Sequence, residues 1–329
     1  MVVSCFLDLA SNLSWQYQSQ IPLVDLSKPD SRHIIVKACE EFGFFKVVNH
    51  GVPLESISEL ESEALSFFSL PMSEKEKVGP ADPFGYGSKG IGPSGDVGSV
   101  EYLLLKTDHS FNFQKLPQTT EKFPSAVKDY VWAVRKMACE ILELMADGLK
   151  IQQRNALSKL LMDKQSDSVF RLNHYPPCTE LEEASGHGGE GSRIGFGEHT
   201  DPQIISVLRS NNTSGLQIST RDGTWISVPP DHTSFFINVG DSLQVMTNGR
   251  FRSVKHRVLA NSSRPRVSMI YFGGPPLSEK IIPLPSLLAK GKEESLYKEF
   301  TWFEYKRSAY SSRLSDNRLE LFKRVAASS

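Results

Sequence analysis

The stretch Val169-Phe-Arg-Leu-Asn-His-Tyr175 opens a run of short segments with the composition of β-strands. Similar segments follow at fairly regular spacing, separated by turn pairs such as Asn211-Asn212 and Asp222-Gly223. The further segments are 194–198, 204–209, 215–220, 225–229, 234–239, 254–261 and 266–272. Short strands repeated in this way predict a sandwich or a double-sheet jelly roll.

The chain before residue 165 has a mainly helical pattern. Apolar residues recur at helical spacing in 31–42, 54–68 and 121–149, and short strands are predicted at 21–26 and 44–49. Residues 79–98 contain seven glycines and three prolines, which predicts a long loop without regular structure.

A helical pattern returns at Thr301. We therefore expect an α+β protein with a double-stranded β-helix, or jelly-roll, core. The predicted divisions are a helical N-terminal region over 1–160, the jelly-roll domain over 165–276 and a C-terminal helical extension over 277–329 that packs on the core.

Composition narrows the class of protein. The 37 basic and 38 acidic residues give a net charge of −1, which provides no general attraction to nucleic acid or to an anionic membrane. The first residues lack a basic segment, and no apolar run approaches the roughly 18 residues of a membrane span. The four cysteines form no C-x-x-C pair, so we expect reduced thiols in a cytoplasmic protein.

The strongest chemical signal is His199-Thr-Asp201 together with His256. Residues i and i+2 of a strand share a face, so His199 and Asp201 are predicted to point the same way, and His256 belongs to another predicted strand. Two imidazoles and one carboxylate form the facial triad of non-haem iron oxygenases. The alternative from spacing alone is a pair of surface histidines beside a turn carboxylate.

A second set of residues suits a dicarboxylic cosubstrate. Arg266 and Ser268 share a strand face, and a guanidinium pairs with a carboxylate through two parallel hydrogen bonds. Asn173 and Tyr175 share a face of the first strand, where the phenol would complete the carboxylate site.

Several segments give the sequence a family resemblance. They are Phe42–Gly51, Phe84–Gly87, Gly195–Pro202, Ser242–Arg250 and Tyr271–Pro275. Through them the chain resembles the plant 2-oxoglutarate- and Fe(II)-dependent dioxygenases over nearly its whole length. Within that family it is most similar to gibberellin 2-oxidases that act on C19 gibberellins.

The resemblance implies a function and its cofactors. His199, Asp201 and His256 match the family's iron ligands, while Arg266, Ser268 and Tyr175 match its 2-oxoglutarate site. The implied reaction is 2β-hydroxylation, which inactivates the hormone, with O2 consumed, succinate and CO2 released, and ascorbate as reductant. The implied partner is a small-molecule gibberellin.

The substrate site is expected to be mostly apolar with a few polar groups. The candidates are Tyr86, Lys89, Glu101 and Tyr102 in and beside the long loop, and Lys306 and Tyr310 on the C-terminal helix. Phe236, Leu243 and Phe272 are predicted to be core residues.

Two positions depart from the subfamily pattern. Gly90 stands where a basic residue is usual, and Ser99 stands where tryptophan is usual, which predicts altered substrate binding.

Two other functions stay open at this point: a sister plant dioxygenase acting on a flavonoid or another terpenoid, and a catalytically silent jelly-roll binding protein.

Overall fold

The computed structural model describes residues 21–88, 100–107, 122–177, 194–288 and 294–324. Its α-helices are α1 Ser31–Glu41, α2 Leu54–Phe68, α3 Met72–Lys75, α4 Phe123–Gly148, α5 Ser158–Met162, α6 Asp241–Met246 and α7 Trp302–Ser311. Short 3-10 helices lie at Glu76–Val78, Pro285–Leu287 and Arg318–Phe322. No helix within these ranges combines the length and apolar character needed to cross a bilayer.

Within the described residues, the strands form two sheets and one small ribbon. The bounds are β1 Leu23–Asp25, β2 Phe44–Val48, β3 Gly85–Ser88, β4 Glu101–Lys106, β5 Val169–Tyr175, β6 Ile194–His199, β7 Ile205–Ser210, β8 Leu216–Ser219, β9 Trp225–Ser227, β10 Phe235–Val239, β11 His256–Leu259, β12 Arg266–Gly273, β13 Lys280–Ile281 and β14 Phe300–Thr301. The large sheet has the order β1-β2-β10-β7-β12-β5-β4-β3 and the small sheet the order β6-β11-β8-β9. Strands β13 and β14 pair separately.

Apart from the parallel pair β1–β2, the neighbouring strands of both sheets run antiparallel. Side chains from the two sheets meet in one hydrophobic cluster, in which Phe196 and Val258 of the small sheet join Leu208 and Ile270 of the large sheet. This α+β jelly-roll arrangement confirms the predicted fold class, and the predicted strands between residues 169 and 272 are all present.

The glycine-rich segment is where the sequence prediction is wrong. Gly85–Ser88 is a strand, not part of a loop, and it pairs antiparallel with β4, which the sequence analysis missed. A Cβ atom on Gly87 would lie 2.5 Å from the ring of Tyr102, so glycine here lets that ring pack against the backbone. The N-terminal region thus supplies strands β1–β4 to the large sheet as well as helices.

The long helix α4 fills the outer side of the large sheet. Its residues Val134, Ala138, Ile141, Leu142 and Met145 are buried, which follows from their helical spacing. The helix packs against α1, α2 and strands β7 and β12, and so joins the N-terminal helices to the sheet. Two cysteines lie in this layer as free thiols, Cys39 buried and Cys139 half-buried, whereas Cys5 and Cys178 lie outside the described residues.

We expect Leu142→Ala to lower the free energy of unfolding by about 2–5 kcal/mol, because it removes buried methyl groups and leaves a cavity. Leu142 is fully buried, whereas Leu65 on α2 is 42% exposed. The same substitution at Leu65 should therefore cost less than about 1 kcal/mol in urea unfolding. Equal losses at the two positions would contradict the packing described for α4.

Candidate metal and cosubstrate site

Two histidines face each other across the small sheet. His199 is the last residue of β6 and His256 the first residue of β11, and their Cα atoms are register partners in the antiparallel ladder. The centroids of their rings lie 4.2 Å apart. The pairing of β6 with β11 therefore brings together two imidazoles that are 57 positions apart in the chain.

Each imidazole is oriented by a carbonyl of its own segment. His199 Nδ1 lies 2.8 Å from the Gly197 carbonyl oxygen, and His256 Nδ1 lies 3.2 Å from that of Val254. A carbonyl only accepts hydrogen bonds, so each Nδ1 carries a proton, and the neutral form of each ring has its lone pair on Nε2. Both Nε2 atoms lie 3.6 Å from Oδ1 of Asp201.

Asp201 completes the cluster from the irregular segment that follows β6, because the strand ends at His199. The strand-parity argument made from sequence is thus wrong for this residue, although its carboxylate does point to the predicted place. The Asp201 carbonyl accepts a hydrogen bond of 2.7 Å from the backbone N–H of Asp241. Asn238 Nδ2 on β10 donates to Asp201 Oδ2 over 3.1 Å. Hydrogen bonds therefore hold both the backbone and the side chain of Asp201 in place.

The pKa values of His199 and Asp201 are shifted in the directions that favour metal binding. Burial, together with the neighbouring His256, lowers the pKa of His199 to about 3, so its imidazole is neutral at pH 7. Burial alone would raise the pKa of Asp201, but its interactions with His256 and His199 and the hydrogen bond from Asn238 outweigh burial and hold that pKa below its usual value. Neutral imidazoles and an ionised carboxylate are the forms in which these side chains bind metal ions.

The three candidate ligand atoms lie within 4.8 Å of one another. Two imidazole nitrogens and one carboxylate oxygen are the donor set of the 2-His-1-carboxylate iron(II) oxygenases, which leaves coordination positions for other molecules. Within the described residues, this is the one cluster of three such groups. The donor set and its orientation therefore fit a ferrous ion.

A cavity of about 450 Å³, its open mouth included, lies beside this cluster between the two sheets. Its lining residues are Arg171, Asn173, Tyr175, Phe196, His199, Asp201, Leu208, Leu216, Asn238, His256, Val258, Arg266, Ser268, Ile270 and Phe272. The metal ligands thus share one cavity with every residue that the sequence assigned to the cosubstrate.

Arg266 is the most unusual residue of that cavity. It is 2% exposed, and its Nε and Nη1 atoms are buried without a hydrogen-bond partner in the described residues. Burial lowers the pKa of its guanidinium, which reflects the cost of keeping a cation out of water. An unpaired buried cation that lines a cavity fits the carboxylate of a bound molecule such as 2-oxoglutarate.

The pairing of β5 with β12 brings the other cosubstrate residues to Arg266. Tyr175 is its register partner, with the guanidinium carbon 5.4 Å from the ring centroid, and Asn173 is the register partner of Ser268. Asn173 Nδ2 donates to Ser268 Oγ over 3.5 Å. A Cβ atom on Gly195 would lie 2.6 Å from the Tyr175 ring, so glycine in β6 makes room for the phenol.

The substrate candidates named from sequence have different locations. Tyr86 is 5% exposed and lies in the core on the other side of the sheet, where its hydroxyl donates to Glu101 over 3.0 Å, so neither residue lines the cavity. Lys306 pairs with Asp167 over 2.7 Å instead of facing the cavity. Tyr310 is 50% exposed and lies beside Lys306, with 5.9 Å between the ammonium and its ring.

Tyr102 does not line the cavity but packs on a residue that does. Its ring centroid lies 4.0 Å from the guanidinium carbon of Arg171, which lines the cavity. Lys89, Gly90 and Ser99 lie outside the described residues.

Among the cavity residues that the sequence did not assign to the site, three are informative. Phe272 was predicted to be a core residue, but it lines the cavity, whereas Phe236 and Leu243 are buried in the core as expected. Asn238 was not considered because an asparagine in a buried strand gives no pattern of its own. Arg171 could have been found, since it shares the strand parity of Asn173 and Tyr175.

Comparison with known proteins identifies the family. The model of the 2OG-Fe(II) oxygenase superfamily matches residues 166–275, and the model of the non-haem dioxygenase N-terminal region found in morphine synthesis matches residues 21–128. The chain is 69% identical over 317 residues to gibberellin 2-beta-dioxygenase 1 of Pisum sativum, covering 96% of this chain and 95% of that protein. The chain belongs to the gibberellin 2-beta-dioxygenase family.

Other members and solved structures agree with this placement. The family's gibberellin 2-beta-dioxygenase 1 of Arabidopsis thaliana is 60% identical, with 93% of each chain covered. The crystal structure of JOX2 in complex with 2OG, Fe and JA has a TM-score of 0.79 at 26% identity and covers 93% of this chain and 89% of that one. The rice dioxygenase for auxin oxidation has the same fold, with a TM-score of 0.75 at 23% identity, covering 93% of this chain and all of that one (100%).

We expect Asp201→Ala to weaken the binding of Fe(II) at least about 100-fold, because the loss of a ligand exceeds the 10- to 100-fold effect of losing a supporting contact. Anaerobic titration calorimetry measures this directly. The matched control is Glu198→Ala, since Glu198 is a neighbouring carboxylate that pairs with Lys255 over 3.2 Å and is not part of the cluster. Unchanged iron affinity in Asp201→Ala would contradict the proposed ligand set.

Proposed function

We propose that this chain is a gibberellin 2-beta-dioxygenase that hydroxylates C19 gibberellins at C2 on the β face. The observation that carries the proposal is the shared cavity, in which a 2-His-1-carboxylate cluster lies beside the buried, unpaired guanidinium of Arg266. The curated relatives at 54–69% identity over nearly the whole chain, all of them gibberellin 2-beta-dioxygenases, support the substrate class.

Each residue of the cavity has a role in this proposal. His199, Asp201 and His256 hold Fe(II), and Arg266 binds the distal carboxylate of 2-oxoglutarate. Iron and 2-oxoglutarate, when bound, supply the oxidising chemistry that activates O2, and 2-oxoglutarate becomes succinate and CO2. Ascorbate keeps the iron reduced.

The remaining cosubstrate residues orient that carboxylate. Tyr175, the register partner of Arg266, and Ser268, two residues along β12, each provide a hydroxyl group, and Asn173 holds the Ser268 hydroxyl. The apolar residues of both sheets exclude water and fix the position of the substrate carbon relative to the iron.

The proposal also assigns a role to each region of the chain, a cellular location and an effect to the two sequence departures. The N-terminal region over 1–160 and the C-terminal extension over 277–329 support the dioxygenase domain over 165–276. The enzyme is cytoplasmic, where its thiols stay reduced. The departures at Gly90 and Ser99 tune substrate preference.

The direct test is product identification. Purified enzyme with Fe(II), ascorbate, 2-oxoglutarate and a C19 gibberellin should give the 2β-hydroxylated gibberellin and succinate in equal amounts, measured by liquid chromatography and mass spectrometry. Omitting the gibberellin is the control for uncoupled succinate formation. Turnover of a flavanone without turnover of any gibberellin would contradict the proposal in favour of a sister dioxygenase.

The role of Arg266 has its own prediction. Arg266→Lys should raise the KM for 2-oxoglutarate roughly 10- to 100-fold, because an ammonium cannot make two parallel hydrogen bonds to a carboxylate. Arg264→Lys is the matched control, since Arg264 is exposed and lies two residues away on the chain. An unchanged KM for 2-oxoglutarate in Arg266→Lys would show that its carboxylate binds elsewhere.

A further inference from the structure

The cavity contains a second arginine that the iron and cosubstrate sites do not use. Arg171 lies on β5 with the parity of Asn173 and Tyr175, so its side chain points to the same face as the cosubstrate residues. Its register partner on β12 is Ile270, whereas that of Tyr175 is Arg266. Four residues of strand, about 13 Å, therefore separate the two arginine positions along the sheet.

The surroundings of Arg171 hold its guanidinium without neutralising it. Nε donates to Asn173 Oδ1 over 2.7 Å. The guanidinium carbon lies 4.0 Å from the ring centroid of Tyr102 and 5.1 Å from that of Phe196. In the described ranges no carboxylate forms an ion pair with Arg171, and Nε is the one nitrogen of its guanidinium with a hydrogen-bond partner.

The sum of the formal charges in the cavity leaves the positive charge of Arg171 without a counter-charge. Its described lining contains two arginines and one carboxylate, Asp201. The two positive charges of Fe(II) equal the two negative charges of 2-oxoglutarate, and Asp201 offsets one arginine. One positive charge remains when the iron and cosubstrate are bound, and a substrate with a single carboxylate would neutralise it.

The apolar neighbours of Arg171 indicate what else that molecule contains. Ile270, Phe196 and Phe272 line the cavity beside it and offer hydrocarbon surface to a rigid apolar body. A carboxylate at one end of such a body would meet the guanidinium, while the body would lie between the sheets. A C19 gibberellin has this combination of an apolar skeleton and a carboxylate.

We propose that Arg171 is the substrate-carboxylate anchor of this cavity, and that it selects acids over neutral analogues of the same skeleton. This inference rests on the proposed function and adds a residue that determines specificity. Tyr102 and Asn173 hold the guanidinium in place by ring stacking and by the hydrogen bond to Nε, which leaves the Nη edge for the carboxylate.

The test compares a C19 gibberellin with its methyl ester, which keeps the skeleton and removes the charge. The unaltered enzyme should have a KM roughly 10- to 100-fold lower for the acid than for the ester, as expected for a charge-assisted contact. Arg171→Gln should raise the KM for the acid to that for the ester and leave the ester's KM unchanged. Arg171→Lys should restore part of the preference, because it restores the charge.

Two controls separate anchoring from general damage. Arg257→Gln is the matched substitution, because Arg257 also stacks on a ring, 4.3 Å from the Trp225 centroid, and its Nε also donates to an amide oxygen, that of Gln217 over 2.8 Å. Arg257 does not line the cavity, so its variant should keep the acid preference. General damage in Arg171→Gln would lower the turnover of acid and ester alike, whereas loss of an anchor removes only the preference for the acid.

The outcomes are distinguishable. Equal use of acid and ester by the unaltered enzyme would overturn the inference while leaving the proposed function intact, and this comparison needs no variant to fold. Retention of the full acid preference in Arg171→Gln would also overturn it, since the preference would then arise from another residue. Absence of hydroxylated gibberellin from acid and ester alike would overturn the proposed function and the inference with it.

Discussion

The antiparallel pairing of β6 with β11 is the constraint on which the site depends. It makes His199 and His256 register partners, and the carbonyls of Gly197 and Val254 turn both Nε2 atoms toward Asp201. A slip of one residue in this pairing would send one imidazole to the other face of the sheet. Accurate strand pairing is therefore what creates a metal site from residues far apart in sequence.

Both arginines that line the cavity come from the large sheet. Strand β5 presents Arg171, Asn173 and Tyr175 on one face, and β12 presents Arg266 and Ser268 opposite them. Arg266 is buried and Arg171 half-buried, and keeping these cations without an anionic partner among the described side chains costs stability that bound carboxylates would recover. The surrounding hydrophobic core, in which α4 covers the outer side of the sheet, offsets that cost in the free protein.

Sequence predicted the jelly-roll strands well because their period-2 pattern and their turn residues agree. It failed where tertiary contacts override local preference. Gly87 pairs with Tyr102 in a strand and the Tyr102 ring packs on it, and Asp201 reaches the histidines from an irregular segment held by Asp241 and not by strand parity. Tyr86 and Lys306 have the chemistry of ligand-binding residues, but Glu101 and Asp167 engage them away from the cavity. Such partners are distant in sequence, so no local pattern reveals them.

The most direct test of the account is a crystal structure of the enzyme grown anaerobically with Fe(II) and 2-oxoglutarate. The account predicts one iron bound by Nε2 of His199, Nε2 of His256 and the Asp201 carboxylate, with 2-oxoglutarate on the iron and its distal carboxylate on Arg266. Iron bound through other atoms or at another place in the chain, or a cosubstrate carboxylate on Arg171 in place of Arg266, would contradict it.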